Sequence, residues 1–544
     1  MNSKLKYSLL FVLPVILFIT AHVLKVVQGP YYLNFYDPSY VYLINSLNIA
    51  QLSGYGVGFI DHPGIPLQVF GAIVIKSFHF IDNVNQDLAN DVLNRPEAYM
   101  NIINSSLIFL NSIVLLIFGF VIYKLYDNML LTVLFQLTPF SSFNAFYELS
   151  DISAENFLLM FYILLILVSL KYINNLNKKA PDKDFFYIAA FSIITGIGIA
   201  TKLNFVPLFI IPFLLIEKLS HKITYLISSL ILFVFFISPG FNSISGILTW
   251  IRRIISNDGL YSSGNSEVFR SPDFFMNLRN VFSEDIFFAL VYFFILILIT
   301  VYTIKSFVFR KNRLKSLADF CKNNILLIAI FLIMNLEFLF LLKKFSHHYI
   351  FPSLVLSVTA LILSLQIIHK DLHYLFRNIK IQSLYLFVMI LIIFFQFFNY
   401  KSYFDKFILK RNESVKLNEF IRKNYPDASV ISGYGSSNKN YALNYSTYWA
   451  GSQNSSYKKI LDKQFPDQLF FELWTGKIFA LTELTDINNI LLSKNKIILQ
   501  TNNNNSIDGV MKNIIQDYGF QNSYFKKVYE NLNKESVYEI TVSR

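Results

Sequence analysis

The chain has 544 residues, of which 54% are hydrophobic, 17% aromatic and only 15% charged. This composition excludes an ordinary soluble globular protein and indicates a chain that resides in a lipid bilayer. The formal net charge of +12 does not predict nucleic-acid binding, because the lysines and arginines are concentrated in short loops between apolar runs, where they orient membrane helices. The single cysteine, Cys321, excludes an intramolecular disulfide framework and a cysteine-based metal cluster.

Apolar runs of membrane-spanning length recur through the first 400 residues. The first of them, residues 7–27, is too long for the core of a signal peptide and lacks a small-residue cleavage pattern, so we expect it to be retained. About eleven transmembrane helices are predicted, at 6–28, 100–123, 129–147, 152–172, 185–201, 203–217, 223–240, 285–304, 324–342, 348–368 and 381–399. The fold class is therefore a polytopic α-helical membrane protein, with a transmembrane domain over residues 1–400.

The distribution of basic residues predicts the orientation of these helices. With the N-terminus in the cytoplasm, the basic clusters near residues 171–183 and 305–322 fall in cytoplasmic loops, as the positive-inside rule requires. Loops 29–98 and 241–284, and everything after residue 400, then lie on the outer face. We expect an integral protein of a prokaryotic plasma (inner) membrane, with its C-terminal part extracytoplasmic.

The tail, residues 401–544, has a different character, with more Asn, Asp, Lys and Ser and short segments of mixed period. We predict a small α/β domain on the outer face. A helix is expected at 413–425, strands at "ASVIS", "KIILQ" and "SVYEITVS", and a further helix in "DGVMKNIIQDYG" that ends at Gly519.

The first outer loop places two polar motifs around an amphipathic segment that starts near Tyr40. Asp37 precedes Pro38, which is the pattern of a helix N-cap followed by proline. The same carboxylate, at a helix start near the water interface, could also take a proton from an acceptor group. His62 lies in a His-Pro-Gly turn that begins an amphipathic helix at 65–80, and its imidazole could bind a phosphate or a sugar hydroxyl.

Three further features on the predicted outer side have both a structural and a functional interpretation. His347 and His348, next to two lysines, form a basic cluster that either anchors the chain to lipid headgroups or binds a phosphate. Glu337 lies within a span, where an ionisable group is usually paired or functional. The loop 241–284 is either a surface loop or a mobile lid that uses Arg252, Arg253 and Tyr261 to contact a phosphate-bearing ligand.

These motifs, in this order, resemble the C-type glycosyltransferase (GT-C) superfold, in particular the branch of the protein O-mannosyltransferases and lipid A aminoarabinose transferases. Asp37 and His62-Pro63 match the acidic residue and the His-Pro turn of that branch, although this chain has Asp-Pro where the family commonly has Asp-Glu. Three later segments also match: "FYELSDISAEN" with Glu148, Asp151 and Glu155, "GIGIATKLNFVPL" with Lys202, and "KKFSHHYIFPSL" with His348, Tyr349 and Pro352. In the last segment His348 stands where the family usually has arginine.

The resemblance implies an enzyme that moves a sugar from a polyprenyl-phosphate donor to an acceptor on the outer face, usually with inversion at the anomeric carbon. Asp37 would be the base, with Glu148 or Asp151 nearby to raise its pKa or orient the acceptor. Lys202 would counter the charge of the leaving phosphate, although a lysine at a helix end can also simply snorkel to the interface. The acceptor, whether lipid, glycan or protein, is not indicated.

The sequence predicts no metal motif, since its histidines and carboxylates are not at ligand spacing. A divalent cation between Asp37 and the second acidic segment is compatible with the carboxylates present, but no cofactor is predicted. Two other functions compete with the transferase. A polysaccharide polymerase or ligase would also use a lipid-linked glycan, and a polytopic transporter would show two related halves, which this lopsided chain lacks.

Overall fold

The structure is a computed structural model that describes residues 3–34, 36–51, 57–61, 64–83, 85–178, 184–256, 271–309, 313–342, 346–371, 380–473, 475–482, 486–493, 496–504 and 506–542. The chain divides into two compact units. The helical unit comprises Met1–His22, Ile60–Leu67 and Asn104–Lys401. The sheet unit comprises Val23–Phe59, Gln68–Ile103 and Ser402–Arg544.

Helices dominate the first three quarters of the chain. Up to residue 240 they are α1 Ser3–Gln28, α2 Tyr31–Asn34, α3 Ser39–Ala50, α4 Ile65–Ile81, α5 Leu88–Asn94, α6 Pro96–Tyr126, α7 Met129–Gln136, α8 Phe143–Leu149, α9 Ala154–Asn177, α10 Asp184–Thr201, α11 Ile210–Leu215 and α12 Leu219–Ile237. They continue as α13 Ile244–Ser256, α14 Ser271–Glu284, α15 Ile286–Phe309, α16 Arg313–Asn323, α17 Ile325–Phe338, α18 Phe351–Asp371 and α19 Ile381–Asn424.

Membrane-spanning helices are found close to where the sequence predicts them. Among the described residues, eight helices are long and apolar enough to cross a bilayer, and a ninth crossing is formed if α16 and α17, bent by 88° at their junction, count as one span. The polytopic helical fold is thus confirmed. The two other predicted spans, 129–147 and 203–217, are each divided into short helices, because Pro139 and Pro207 lie in 3-10 turns within them.

The broken segment 203–217 nevertheless runs from one end of α9 to the other. At its start, Lys202 forms an ion pair with Glu155, in the first turn of α9. At its end, Leu215 lines the same cavity, of about 920 Å³, as Asn177 at the last turn of α9. We call these two sides the Glu155 end and the Asn177 end of the helical unit.

The segment 129–147 joins the same two ends. Tyr126, just before it, lines the cavity at the Asn177 end. Glu148, just after it, lies close enough to Glu155 to feel its charge. Both broken segments therefore cross the helical unit without forming one continuous helix.

The tail folds around one mixed sheet. In the described residues its strands are β1 Ser429–Ser432, β2 Leu469–Glu472, β3 Lys477–Ala480, β4 Ile497–Thr501, β5 Tyr524–Glu530 and β6 Ser536–Thr541, in the order β3-β2-β1-β4-β6-β5. β1 is parallel to both neighbours, with Ile431 opposite Leu469 and Leu499. The remaining pairs are antiparallel. The α/β character predicted for the tail is confirmed.

The helices of the tail are α20 Lys439–Thr447, α21 Asn454–Gln464, α22 Ile487–Ser493 and α23 Ser506–Lys512. The core of the sheet is apolar and fully buried, and includes Ile431, Leu469, Leu499, Val510 and Ile540. Because β1 lies between two parallel neighbours reached by connections on opposite sides, the carboxyl end of β1 is the place where open α/β sheets usually bind ligands. That end leads through residues 433–438 into α20.

Residues 23–59 pack within the sheet unit. Asn48 of α3 donates a hydrogen bond to the carbonyl of Ala450 at 2.9 Å and accepts one from Tyr457 Oη at 2.6 Å. Gly58 allows a close approach here, since a Cβ at this position would lie 2.1 Å from the carbonyl oxygen of Trp449. The predicted amphipathic helices of the loop are present as α3 and α4.

Candidate active site

The predicted site residues occur in two groups, one in each unit. Asp37 lies in the sheet unit, and Glu148, Asp151, Glu155, Lys202, His347, His348 and Tyr349 lie in the helical unit. Each group forms contacts of its own.

Asp37 precedes α3 without capping it. The helix begins at Ser39, Pro38 occupies the N-cap position, and no side-chain cap bond is made. The N-cap interpretation of Asp37 is therefore wrong, because the helix starts one residue too late. Its partly exposed carboxyl instead accepts a hydrogen bond from Tyr445 Oη, 3.3 Å from Oδ2.

Aromatic side chains hold Tyr445 in place beside the carboxyl. The ring of Tyr36 packs against those of Tyr445 and Tyr441, with centroids 4.6 Å and 5.4 Å away. Gly435 N donates to Tyr36 Oη at 3.4 Å. Burial, and then the negative charge of Asp37, raises the pKa of Tyr445, so its hydroxyl stays protonated and acts as a donor.

Lys202 lies at a break between α10 and a 3-10 helix at Leu203–Phe209, with extended backbone angles. Gly198 makes the fold-back compatible with close packing, since a Cβ there would lie 2.4 Å from the ring of Phe205. The ammonium of Lys202 forms an ion pair with Glu155, and both side chains are buried. Removing one member of such a buried pair leaves the other charge unpaired and lowers the stability of the protein.

Glu148 joins this pair at the Glu155 end. It lies close to Lys202, Asp151 and the hydroxyl of Ser153, which donates to it. Burial, and then the charge of Glu155, raises the pKa of Glu148. Glu148, Asp151, Glu155 and Lys202 therefore form one cluster, here called the acidic cluster, and it unites two segments that the sequence resemblance matched separately.

His347 is tied to the same end of the unit by two contacts. Asn144 Nδ2 donates to His347 Nδ1 at 3.1 Å, so the proton is on Nε2, which pairs with Glu284. Burial lowers the pKa of His347 more than the charge of Glu284 raises it. His347 is thus suited to donate a hydrogen bond rather than to act as a permanent cation.

His348 and Tyr349 follow His347 in the same turn. The carbonyl of His348 accepts a hydrogen bond from Asn204 Nδ2 at 2.9 Å, which links this turn to the segment after Lys202. Burial, and then the charge of Glu155, raises the pKa of Tyr349. The Lys202 segment and the His-His-Tyr turn, far apart in the chain, are therefore neighbours in the folded helical unit.

Glu337 has a partner, as an ionisable group within a span should. Its Oε2 accepts a hydrogen bond at 3.0 Å from the backbone N–H of Ser353, in the first turn of α18. The helix dipole favours a negative group at this position. The partner could not be inferred from the sequence, because it depends on which helix start packs against α17.

Several predicted residues lie outside the described residues, namely His62, Tyr261, Lys343 and Lys344. Near the first of them, Gly64 N donates to the carbonyl of Thr201 at 3.0 Å, so the chain just after the His-Pro turn contacts the residue before Lys202. The predicted lid loop contains two helices, α13 and α14, and Arg252 and Arg253 are exposed on α13.

Within the described ranges, no group of three or more histidine, cysteine, aspartate or glutamate side chains is arranged to hold a metal ion. The candidate residues of the two units thus supply carboxylates, one buried ammonium, imidazoles and tyrosine hydroxyls.

Sequence reasoning missed the aromatic partners of Asp37. Tyr445 is 408 residues away in the chain, and Trp449, Tyr441 and Tyr434 belong to the same stretch of the tail. The one available signal was the density of aromatic residues between positions 434 and 449. Nothing in a single sequence pairs that stretch with the first outer loop.

Fold and site together define the class: a multi-pass helical membrane protein with an α/β tail and polar clusters at the ends of its helices. One solved protein to which the chain is similar is ArnT from Cupriavidus metallidurans, bound to undecaprenyl phosphate, with 10% identity and a TM-score of 0.46 over 96% of this chain and 97% of that chain. No protein-family model matches the chain, and no curated protein matches it.

Proposed function

We propose that this protein is a membrane glycosyltransferase that moves a sugar from a polyprenyl-phosphate donor to an acceptor hydroxyl or amine. The acceptor oxygen or nitrogen bonds to the anomeric carbon while the bond from that carbon to the phosphate oxygen breaks. The acceptor proton passes to Asp37, and the bonding electron pair leaves with the phosphate. Attack from the side opposite the phosphate inverts the anomeric configuration.

The acidic cluster is the observation that carries this proposal. A lysine buried at a helix break is costly in a membrane protein and defaults to a functional or paired role. Lys202 has three donor protons, of which Glu155 uses only part. An ammonium with remaining donors suits a phosphate whose negative charge grows as the sugar departs.

Asp37 has the properties of the base in this scheme. It is partly exposed, so an acceptor can reach it, and it is oriented by a fixed tyrosine. A general base must lie within hydrogen-bond reach of the proton it removes, and a carboxylate is a common choice. Glu148 and Asp151 are proposed to assist by orienting substrate groups, and His62, His347, His348 and Tyr349 to bind the phosphate or the sugar. Arg252, Arg253 and Tyr261 are proposed as further donor contacts.

The proposed orientation places the Asn177 end in the cytoplasm and the sheet unit outside, in a prokaryotic inner membrane. Lys178, Lys218, Lys222, Lys322 and Lys370 belong to the loops and helix ends on the Asn177 side or close to it in the chain. That excess of positive charge supports a cytoplasmic location. The donor would then be used from the outer leaflet.

The test is turnover of a panel of polyprenyl-phosphate sugars by the purified protein in lipid nanodiscs, with cell-envelope extract as the acceptor source. We expect release of polyprenyl phosphate by the wild type and a loss of at least about a hundredfold in Asp37→Asn. Asp427→Asn, an exposed aspartate of the same unit, is the matched control and should keep wild-type turnover. Equal turnover by Asp37→Asn and wild type would contradict the role of Asp37.

A further inference from the structure

Asp37 is the last member of a short series of interacting side chains that begins in the tail with Trp449 and continues through Tyr445. The indole N–H of Trp449 can only donate, and its interaction with the hydroxyl of Tyr445 opposes the increase in the pKa of that hydroxyl. The hydroxyl of Tyr445 in turn donates to Asp37 Oδ2 at 3.3 Å. Asp37, Tyr445 and Trp449 are all partly exposed, so this series lies at a surface that substrate can reach.

The backbone near Tyr445 and Trp449 is fixed by hydrogen bonds, and the ring of Tyr445 is fixed by packing. Trp449 N donates to the carbonyl of Ser446 at 3.1 Å, which continues the turn at the end of α20. The next residue, Ala450, accepts the hydrogen bond from Asn48 of α3. The ring of Tyr36 packs on that of Tyr445 from the other side. The hydroxyl of Tyr445 is therefore positioned before any substrate arrives, as a preorganised site requires.

We propose that Tyr445, oriented by Trp449, is a positioning residue for the base of the transferase, so that the tail supplies part of the catalytic centre. This inference rests on the proposed function of Asp37. A hydroxyl that donates to one carboxylate oxygen fixes the rotation of the carboxyl group and favours its ionised form. The ionised form is the one that accepts the acceptor's proton.

The location on the sheet is consistent with this role. Tyr445 lies on α20, the helix entered from the carboxyl end of β1, and Gly435 in the connecting segment contacts Tyr36 next to Asp37. Ligands of open α/β sheets bind at that edge of the sheet. The proposed base therefore lies near the edge of the sheet at which folds of this kind bind ligands.

The main experiment compares the pH–rate profile of wild type with that of Tyr445→Phe, which keeps the ring and loses the donor. We expect kcat to fall about tenfold to a hundredfold with little change in KM for the donor, because a bond to a charged group is lost. The acidic limb should move to higher pH by about one unit, because the carboxylate loses a hydrogen bond that favours its charged form.

Two further variants make the result decisive. Trp449→Phe leaves Tyr445 in place but removes the donor that orients it, so a smaller shift in the same direction is expected, even if Tyr445→Phe folds poorly. Tyr448→Phe, an exposed tyrosine at the end of the same helix, should show the wild-type profile.

The outcomes separate this inference from the proposed function. If Asp37→Asn is inactive while Tyr445→Phe and Trp449→Phe keep the wild-type kcat and acidic limb, the positioning role is wrong and the transferase proposal stands. If Asp37→Asn is as active as wild type, the proposed base itself is wrong, and the inference fails with it.

Discussion

At the scale of single residues, Lys202 has a proposed role in phosphate binding and also forms a buried ion pair with Glu155. Both side chains are buried, so neither charge can be solvated by water when its partner is removed. The pair therefore has to be tested in a way that distinguishes a structural role from a role in phosphate binding.

Replacing Lys202 alone should unfold the protein readily. Lys202→Met leaves Glu155 charged and unpaired, and we expect a loss of about 3–5 kcal/mol in stability. The double variant Lys202→Met/Glu155→Leu removes both charges and should recover most of that loss while failing to bind undecaprenyl phosphate. Thermal unfolding in detergent and ligand-induced stabilisation measure the two effects.

The exposed pair of Lys322 and Glu217, 3.8 Å apart, provides the control. Lys322→Met should change stability by less than about 1 kcal/mol, since exposed pairs contribute little. If the double variant at Lys202 and Glu155 binds undecaprenyl phosphate as tightly as wild type, Lys202 has a structural role only.

Glu148 makes a prediction about pH. Burial, and then the charge of Glu155, raises its pKa from 4.5 to about 8. A carboxyl group with a higher pKa in the folded state holds its proton more tightly there, so stability falls as pH rises from the unfolded value through the folded value. The melting temperature of wild type should therefore decrease between about pH 5 and pH 8, and Glu148→Gln should remove that part of the decrease.

Glu419→Gln is the matched variant, because Glu419 is exposed. It should show the same pH dependence of the melting temperature as wild type. If the melting temperatures of Glu148→Gln and wild type depend on pH in the same way, the surroundings of Glu148 do not raise its pKa.

At the scale of elements, the break at Lys202 depends on one glycine. Because a Cβ at Gly198 would lie 2.4 Å from Phe205 Cδ1, Gly198→Ala should cost about 1–3 kcal/mol through overpacking. It should also lower turnover, since the shifted ring belongs to the 3-10 helix that Lys202 begins. Activity and melting temperature of the purified variants provide the measurement.

A second change should compensate for the first. Gly198→Ala/Phe205→Leu restores space and should recover stability. Gly246→Ala is a control, because its Cβ would meet only the end of the Ile60 side chain. Wild-type stability and turnover in Gly198→Ala would contradict the packing argument.

Most helices and several strands could be predicted from the sequence. Long apolar runs became single helices wherever proline was absent or lay where it is tolerated, as in α1, which contains Pro14. The strands at "ASVIS", "KIILQ" and "SVYEITVS" are present as β1, β4 and β6. The short strands β2 and β3 and the mostly exposed β5 were missed, because their periodicity is weak.

The limits of sequence-based prediction are clearest at the candidate site. The sequence indicates the two segments that contribute to the acidic cluster. It does not indicate that they meet, because this depends on packing between the start of α9 and the end of α10. The bond from Tyr445 to Asp37 joins parts of the chain that carry no mutual signal. Local pattern gives the elements, while contacts distant in sequence require the folded chain.

At the scale of the whole molecule, the two ends of the helical unit differ in chemistry. The Glu155 end gathers carboxylates, imidazoles and one buried lysine. The cavity at the Asn177 end is lined by two lysines, Lys322 and Lys370, with Glu217 and several amides. The proposed orientation in the membrane rests on this difference.

In the proposed reaction, a sugar leaves a polyprenyl phosphate and becomes bonded to an acceptor. The most direct measurement counts the products of a single incubation of wild-type protein with donor and acceptor, and determines the anomeric configuration of the new bond. We predict one polyprenyl phosphate per sugar transferred, with inverted configuration. Release of polyprenyl diphosphate, or movement of a substrate across the bilayer with no bond broken, would contradict the account in favour of a ligase or a transporter.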